Sequence, residues 1–241
     1  MIEELWPGGP HFRDEPGVFP IGMDSVLLAD FAKRTGVRKI TRAIDLGCGS
    51  GIISILLAFD DKQLSIDGLE IQPQAARLAV ENVKSSGLSE QIDIIEGDLR
   101  RCCEYIRPGI YDLTVSNPPY YEYGGGKRPK CGASSIARVD ELCTLDDLCK
   151  AAGYLTRWGG SFAIAQKPDR LTAAFSAVSR YGFEPKRARF VHHTHASPPS
   201  LVLIESRRGA KPSLKIEAPL ILKNGDGSDS DEIERIYRVR G

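Results

Sequence analysis

The chain has 241 residues, of which 41% are hydrophobic and 27% charged, a mixture typical of a folded domain with a substantial core. Its 32 basic and 32 acidic side chains cancel to a formal net charge of zero, so the composition as a whole does not indicate a nucleic-acid partner. The six cysteines have neither zinc-site nor disulfide spacing, no apolar signal core begins the chain, and the longest apolar run is too short to span a bilayer. We therefore expect a cytoplasmic protein with reduced thiols, no membrane segment and no metal.

Strand and helix patterns alternate along the chain after an irregular arm, rich in Pro and Gly, at 1–20. Asp24 is placed to cap the first helix. The alternation predicts an α/β fold with a doubly wound, mostly parallel sheet and helices on both faces. In such a sheet ligands bind beyond the carboxyl ends of the strands, where the strand order reverses. The predicted elements are helix 24–34, strand 41–47, helix 50–59, strand 64–71, helix 72–87, strands 91–98 and 111–117, helix 144–158, strand 161–167, helix 168–181 and strands near 186–192 and 200–206.

A glycine-rich turn, DLGCGSG at 45–51, closes the first strand of the alternation and opens a helix. Its glycines permit a tight turn with positive φ and let a ligand approach the backbone. The spacing D-x-G-x-G-x-G differs from the dinucleotide fingerprint, and its acid fits the cationic amino acid end of S-adenosylmethionine better than a pyrophosphate. Glu70 ends the next strand at the distance expected of a ribose-binding acid, and Asp98 ends the third, where it could meet an adenine amino group. The candidate cofactor residues in these turns are Asp45, Gly47, Cys48, Gly49, Gly51, Glu70, Ile71, Asp98 and Leu99.

The sequence NPPY at 117–120 ends the fourth strand, so it faces the same crevice as the glycine turn. A simple turn is the plain interpretation, since Asn-Pro and Pro-Pro both end strands. The sequence also suits chemistry at an amide or adenine amino nitrogen, whose lone pair is delocalised. The Asn117 side-chain oxygen and the Pro118 carbonyl can each accept one N–H bond, Pro119 stiffens the turn, and Tyr120 can stack on a planar substrate. These four residues are the candidate catalytic residues, and Asn117 is also a candidate cofactor contact.

Together, the glycine turn, the acid ending the second strand and the NPPY sequence resemble the amino methyltransferases of the seven-stranded class. Segments 18–31, 117–126, 134–166 and 217–237 are similar to the bacterial family of tRNA1(Val) adenine N6-methyltransferases, which modify adenine 37 beside the anticodon. The resemblance implies one methyltransferase domain over 1–241, with a Rossmann-like sheet of seven strands whose last strand inserts antiparallel. It also implies S-adenosylmethionine as the cofactor and tRNA as the partner.

The resemblance further implies roles for the N-terminal arm and for the loop after NPPY. The arm and first helix, 1–35, would cover the cofactor through Gly22 and Asp24. The sequence itself predicts a C-terminal extension at 208–241, whose polar run would form a turn or a mobile loop. The loop after NPPY would help to receive RNA, because its basic side chains and tyrosines match phosphate contact and base stacking; a solvated loop is the alternative. The candidate RNA-binding residues are Tyr121, Tyr123, Lys127, Arg128, Lys130 and Arg138.

Other functions remain open at this stage. A protein glutamine methyltransferase of the release-factor type shares NPPY, and so do rRNA guanine N2 and DNA adenine N6 methyltransferases. A non-catalytic binding module with this fold is a further alternative, although the intact Asn117 argues against it.

Two clusters of polar residues are not expected to form sites. His192, His193 and His195 follow a strand, but His192 faces away from the other two in an extended chain, so we expect no metal there. The basic residues of 186–189 are expected on an exposed strand edge, where charge prevents unwanted pairing.

Overall fold

The computed structural model describes residues 3–37, 39–118 and 143–238. The helices are α1 (Met23–Lys33), α2 (Ile52–Phe59), α3 (Pro73–Ser85), α4 (Leu145–Leu155), α5 (Leu171–Arg180) and α6 (Asp231–Ile236), with 3₁₀ turns at Leu99–Glu104 and Pro168–Arg170. The strands are β1 (Glu3–Glu4), β2 (His11–Phe12), β3 (Arg42–Leu46), β4 (Ser65–Glu70), β5 (Ile92–Glu96), β6 (Tyr111–Ser116), β7 (Thr156–Gln166), β8 (Phe183–His192), β9 (Pro199–Arg208), β10 (Lys215–Ile216) and β11 (Leu220–Ile221).

The main sheet has its seven long strands in the order β5-β4-β3-β6-β7-β9-β8. The first five of these run parallel, and β9 lies antiparallel between β7 and β8. The short strands β10 and β11 extend the β8 edge beyond the expected seven. The predicted fold class is therefore confirmed, including the antiparallel last long strand. The chain runs outward from β3 to β5 and returns to β6 on the other side, which places the switch point between β3 and β6.

Hydrophobic layers cover both faces of the sheet. Successive residues of β3 point to opposite faces, so Ala43 joins the layer with α1, α2 and α6, and Ile44 joins the layer with α4 and α5. Among the residues that the structure describes, no helix has the length and apolar character needed to cross a bilayer.

The start of α1 and the end of α4 differ from the sequence predictions. Gly22, and not Asp24, is the N-cap of α1, and no side chain of the described residues caps this helix. Helix α4 ends at Leu155 rather than at 158, because Thr156 already pairs with Tyr111 and starts the long strand β7.

The polar run at 224–232 is only partly the turn that we expected. Lys223 and Asp229 form a bridge that closes a turn. The side chain of Ser230 then caps α6 by accepting a hydrogen bond from the Ile233 N–H, so the end of the run starts a helix.

The prediction of an exposed edge around Arg187 and Arg189 is wrong, because β10 and β11 cover this strand. Arg189 is 7% exposed, and its guanidinium binds both carboxylate oxygens of Glu232 at 2.7 and 2.8 Å. Arg187 contacts Glu205 and, at 3.1 Å, Glu217. These arginines attach the C-terminal residues to the sheet.

Candidate active site

The glycine turn follows β3 and leads into α2 at the switch point of the sheet. Gly47, Gly49 and Gly51 have φ values of 72°, 56° and 83°, which are left-handed conformations that strain any other residue. A Cβ atom built on Gly47 or Gly49 would meet no described atom within 4 Å. The backbone at these two glycines is therefore open to a ligand, as the sequence predicts, while Cys48 between them is buried.

Glu70, at the end of β4, ties the glycine turn to the neighbouring turn. Its Oε2 accepts a hydrogen bond from the Gly49 N–H, and its Oε1 accepts one from the Gln72 N–H, both at 2.9 Å. The residue is 4% exposed, and this burial raises the pKa of its carboxyl group even though the backbone N–H groups, including that of Ile71, oppose the shift. Each oxygen keeps a second lone pair, so the carboxylate can hold the turns and still accept hydroxyl donors.

Asp45, the last acid of β3, is fully buried below the turn. Its Oδ2 accepts a hydrogen bond from the Ser54 hydroxyl of α2 at 3.0 Å, whereas its Oδ1 has no hydrogen-bond partner among the described residues. Burial raises the pKa of Asp45 to about 7, against the hydrogen bond from Ser54. A buried carboxylate of this kind favours a nearby positive charge. The turn thus combines open backbone, an acceptor for hydroxyl groups and an acid that forms no ion pair with a described residue, which suits the ribose and the cationic amino acid end of S-adenosylmethionine.

Asn117 follows β6 directly across the switch point from the glycine turn. The hydroxyl of the preceding Ser116 donates to the Leu46 carbonyl of β3 at 2.7 Å, which joins the ends of the two strands. The Asn117 amide nitrogen donates to the Ser25 hydroxyl of α1 at 2.9 Å. Asn117 and Pro118 are half-buried and follow the carboxyl end of β6, the strand that pairs with β3.

The first turn of α1 approaches the same crevice. Gly22 is its N-cap, Asp24 lies half-buried in its first turn, and Ser25 is 8% exposed. Helix α1 packs on α2, which the glycine turn opens. This position is compatible with the predicted cover over the cofactor.

Asp98 follows β5 and has partners within its own turn. It caps the 3₁₀ turn by accepting a hydrogen bond from the Arg100 N–H at 2.9 Å, and its carboxylate also binds the Arg100 guanidinium. The bond from Arg100 lowers the pKa of Asp98. Leu99 packs against the core below. The carboxylate of Asp98 is therefore held in place by its own turn, and its backbone remains a candidate contact for an adenine ring.

Several candidate residues lie outside the described ranges. They are the catalytic candidates Pro119 and Tyr120 and the RNA-binding candidates Tyr121, Tyr123, Lys127, Arg128, Lys130 and Arg138.

The histidines at the end of β8 and just after it do not come together as a site. The His192 Nδ1 atom lies 2.8 Å from the Ser197 carbonyl oxygen, and His193 and His195 are exposed. Within 3–37, 39–118 and 143–238, no group of three or more His, Cys, Asp or Glu side chains is placed to hold a metal ion.

Two polar residues near the site escaped the sequence analysis. Asn82 of α3 is 1% exposed, and its amide bonds to Arg13 of the arm and to the Ser50 carbonyl of the glycine turn. Ser25 contacts Asn117. Both are polar residues on the buried stripe of a helix, and that break in an apolar pattern was the available signal.

Comparison with known proteins identifies the family. Residues 10–136 match the methyltransferase small domain family. A tRNA1(Val) (adenine(37)-N6)-methyltransferase of Yersinia pseudotuberculosis is 36% identical over 160 residues, which cover 66% of this chain and 61% of that protein. The chain thus matches less than two thirds of the length of this curated relative.

Solved structures share the fold at low sequence identity. The Agrobacterium tumefaciens protein Atu636, described as a predicted O-methyltransferase, superposes with a TM-score of 0.72 at 18% identity, covering 91% of this chain and 97% of that one. The geranyl diphosphate C-methyltransferase of Streptomyces coelicolor, solved with S-adenosyl-L-homocysteine, gives a TM-score of 0.56 at 10% identity and covers 82% and 93%. Since these neighbours are described as methylating oxygen and carbon, the fold does not specify the accepting atom. The family match over more than half of the sequence shows that this chain belongs to the methyltransferase small domain family.

Proposed function

We propose that this protein is an S-adenosylmethionine-dependent methyltransferase that modifies the N6 amino group of adenine 37 in a tRNA. The observation that carries the proposal is the position of Asn117 and Pro118 across the switch point from the glycine turn, joined by the Ser116 bond to Leu46. The Yersinia pseudotuberculosis relative, named for this reaction, supports the same substrate. A tRNA substrate places the protein in the cytoplasm.

The glycine turn and its acids form the cofactor site of the proposal. When bound, S-adenosylmethionine supplies an electrophilic methyl group on a sulfonium. The carboxylate of Glu70 would accept the ribose hydroxyls, the backbone of Gly47 and Gly49 would lie against the cofactor, and Asp45 would favour its positive charge. The first turn of α1, with Gly22 and Asp24, would cover the site.

Asn117 and Pro118 bind and orient the amino nitrogen that accepts the methyl group. The Asn117 side-chain oxygen and the Pro118 carbonyl each accept one N–H bond from the amino group. These bonds shift electron density onto the nitrogen and direct its lone pair toward the cofactor side of the crevice. Positioning supplies most of the reduction in the barrier, so no strong base is required. Tyr120 would stack on the adenine, and the basic loop after it would contact tRNA phosphates.

Methyl transfer from radiolabelled cofactor tests the proposal directly. The purified protein is given tRNA1(Val), the same tRNA with guanine at position 37, duplex DNA, ribosomal RNA and a release factor in parallel. We expect label only in the unaltered tRNA, recovered as N6-methyladenosine after digestion. Label found only in the release factor, only in guanine or only in DNA would contradict the proposed substrate.

An Asn117→Ala variant tests the assigned chemistry. We expect kcat to fall by about 100-fold or more because an acceptor for the reacting amino group is lost. Calorimetry should show nearly unchanged cofactor affinity, since this residue acts on the substrate. Unchanged turnover in the variant would remove Asn117 from the mechanism.

A further inference from the structure

The amide of Asn117 has a specific partner on a distant part of the chain. Its Nδ2 donates to the hydroxyl of Ser25 at 2.9 Å, across 92 residues of sequence. Ser25 is 8% exposed and lies in the first turn of α1, where its N–H donates to the Gly22 carbonyl at 3.2 Å. The hydroxyl is therefore held at a fixed position by helical backbone.

A carboxamide has a donor end and an acceptor end of nearly equal size, so it can enter a site in two orientations. An amino group of a substrate donates hydrogen bonds and requires the amide oxygen. The reversed orientation would place two N–H donors against that amino group, which is repulsive. In the productive orientation the amide nitrogen points away from the substrate and needs an acceptor, since a buried N–H without one is costly. In the structure the Ser25 hydroxyl oxygen accepts a hydrogen bond from one of the two N–H groups of this amide nitrogen.

We propose that Ser25 is a positioning residue that holds the Asn117 amide with its oxygen directed to the accepting nitrogen. This inference rests on the proposed transfer to an amino group. It also gives α1 a second role, because the helical turn that is proposed to cover the cofactor then fixes the amide that receives the substrate.

Three variants of the full chain test the proposal. Ser25→Ala removes the acceptor, Ser25→Thr keeps a hydroxyl at the same place, and Ser206→Ala is the matched control. Ser206 is buried like Ser25, lies on β9, and its hydroxyl has no hydrogen-bond partner among the described residues. Each is assayed with tRNA for kcat and KM, and by calorimetry for cofactor affinity.

We expect kcat of Ser25→Ala to fall about tenfold, the effect of one lost hydrogen bond, while cofactor affinity and the KM for tRNA change by about twofold or less. Ser25→Thr should recover most of the loss, and Ser206→Ala should match the wild type. A kcat unchanged in Ser25→Ala, or a loss that Thr does not recover, overturns the proposal.

A second measurement does not depend on turnover. The side-chain amide signal of Asn117 in a ¹⁵N spectrum of the cofactor-bound protein is assigned by its disappearance in Asn117→Ala. We expect slow hydrogen exchange at this amide in the wild type and faster exchange in Ser25→Ala. Equal exchange in both contradicts the positioning role. If the exchange differs but the wild type methylates no amino group, the proposed function fails and the contact between the two residues stands.

Discussion

Two regions of the sheet bury carboxylates in opposite electrostatic settings. At the carboxyl ends of β3 and β4, Asp45 and Glu70 are 0% and 4% exposed, and burial raises the pKa of both. Near the sheet edge that β10 and β11 cover (the covered edge), Glu205 of β9 is 2% exposed, but the Arg187 guanidinium of β8 contacts it. Burial alone would raise the pKa of Glu205; hydrogen bonds from Thr35 and Arg187 outweigh burial and lower it.

The contrast separates an acid with a structural role from two acids that we propose to be cofactor contacts. Glu205 has its cation within the chain, so its charge is balanced when the protein folds. Asp45 and Glu70 form no ion pair with any residue in the described part of the chain. Burying a charge without a partner is costly, unless a molecule from outside supplies the opposite charge. S-adenosylmethionine, with its sulfonium and ammonium groups, is such a molecule.

The largest expected effect is on the covered edge. Arg187→Met leaves Glu205 buried without its cation, and unfolding in urea should show a loss of about 3–5 kcal/mol in the free energy of unfolding. The double variant with Glu205→Met should recover more than half of this loss, because both charges are then gone. Arg101→Met is the matched control, since Arg101 and Glu104 form an exposed pair at 2.7 Å whose removal should change stability little. If Arg187→Met were as stable as the control, Glu205 would not depend on its cation.

The next largest effect is a gain in stability, not a loss, and it comes from Asp45 below the glycine turn. The pKa of Asp45 is about 7 in the folded protein against an ordinary value of 3.8, so the folded state binds a proton more tightly than the unfolded state. Its contribution to stability is therefore complete below about pH 4 and is lost as the pH rises through about 7. By about pH 8 the ionised acid lowers the free energy of unfolding by up to roughly 4 kcal/mol, and a neutral Asn at this position avoids that cost. Asp45→Asn should therefore be more stable than the wild type in alkaline solution and equal to it in acid.

Asp112→Asn is the matched control for that measurement. Asp112 is buried, but Thr41 N–H and Arg157 bind its carboxylate and lower its pKa despite burial. The same substitution there should lower stability in alkaline solution. An Asp45→Asn protein that is less stable than the wild type at every pH would mean that the buried acid is not costly.

Most of the fold could be predicted from the sequence because its signals are local. A buried strand followed by glycines in a left-handed turn identifies the switch point, and the predicted strand 41–47 is Arg42–Leu46 in the structure. Alternating strand and helix patterns also predict that the strands run parallel, and this prediction needs no information about distant contacts.

The covered edge could not be predicted in the same way. The charges around Arg187 and Arg189 fit an exposed strand as well as a buried one. Their acidic partners, Glu205, Glu217 and Glu232, lie 18, 30 and 43 residues further along the chain. Nothing in the spacing indicates which strand the C-terminal residues will cover, because that pairing forms only in the folded protein.

The candidate site was predicted in outline. The sequence brings Asp45, Glu70 and Asn117 to one end of the sheet, and the structure places them there. Their roles remain predictions. The position of Ser25 could not be inferred from local pattern, since its contact with Asn117 depends on how α1 packs against the strand ends.

The smallest expected effect is a change of cofactor affinity with pH. It tests whether Asp45, which has no cation among the described residues, responds to a bound ligand. If a bound cation favours the ionised form of Asp45, cofactor affinity should rise with pH through about 7 and then level off. Between about pH 6 and pH 8 the dissociation constant should fall by about tenfold, as the ionised fraction rises. Calorimetry in buffers of several ionisation enthalpies also measures the proton released on binding.

Comparison of ligands shows which charge the acid serves. S-adenosylhomocysteine keeps the ammonium but lacks the sulfonium, and methylthioadenosine lacks the amino acid end altogether. If Asp45 favours the amino acid end, the first should show the same pH dependence as the cofactor and the second almost none. In Asp45→Asn the affinity for the cofactor should be weak and independent of pH. If a pH dependence persists in this variant, the titrating group is Glu70 instead, because burial also raises the pKa of Glu70.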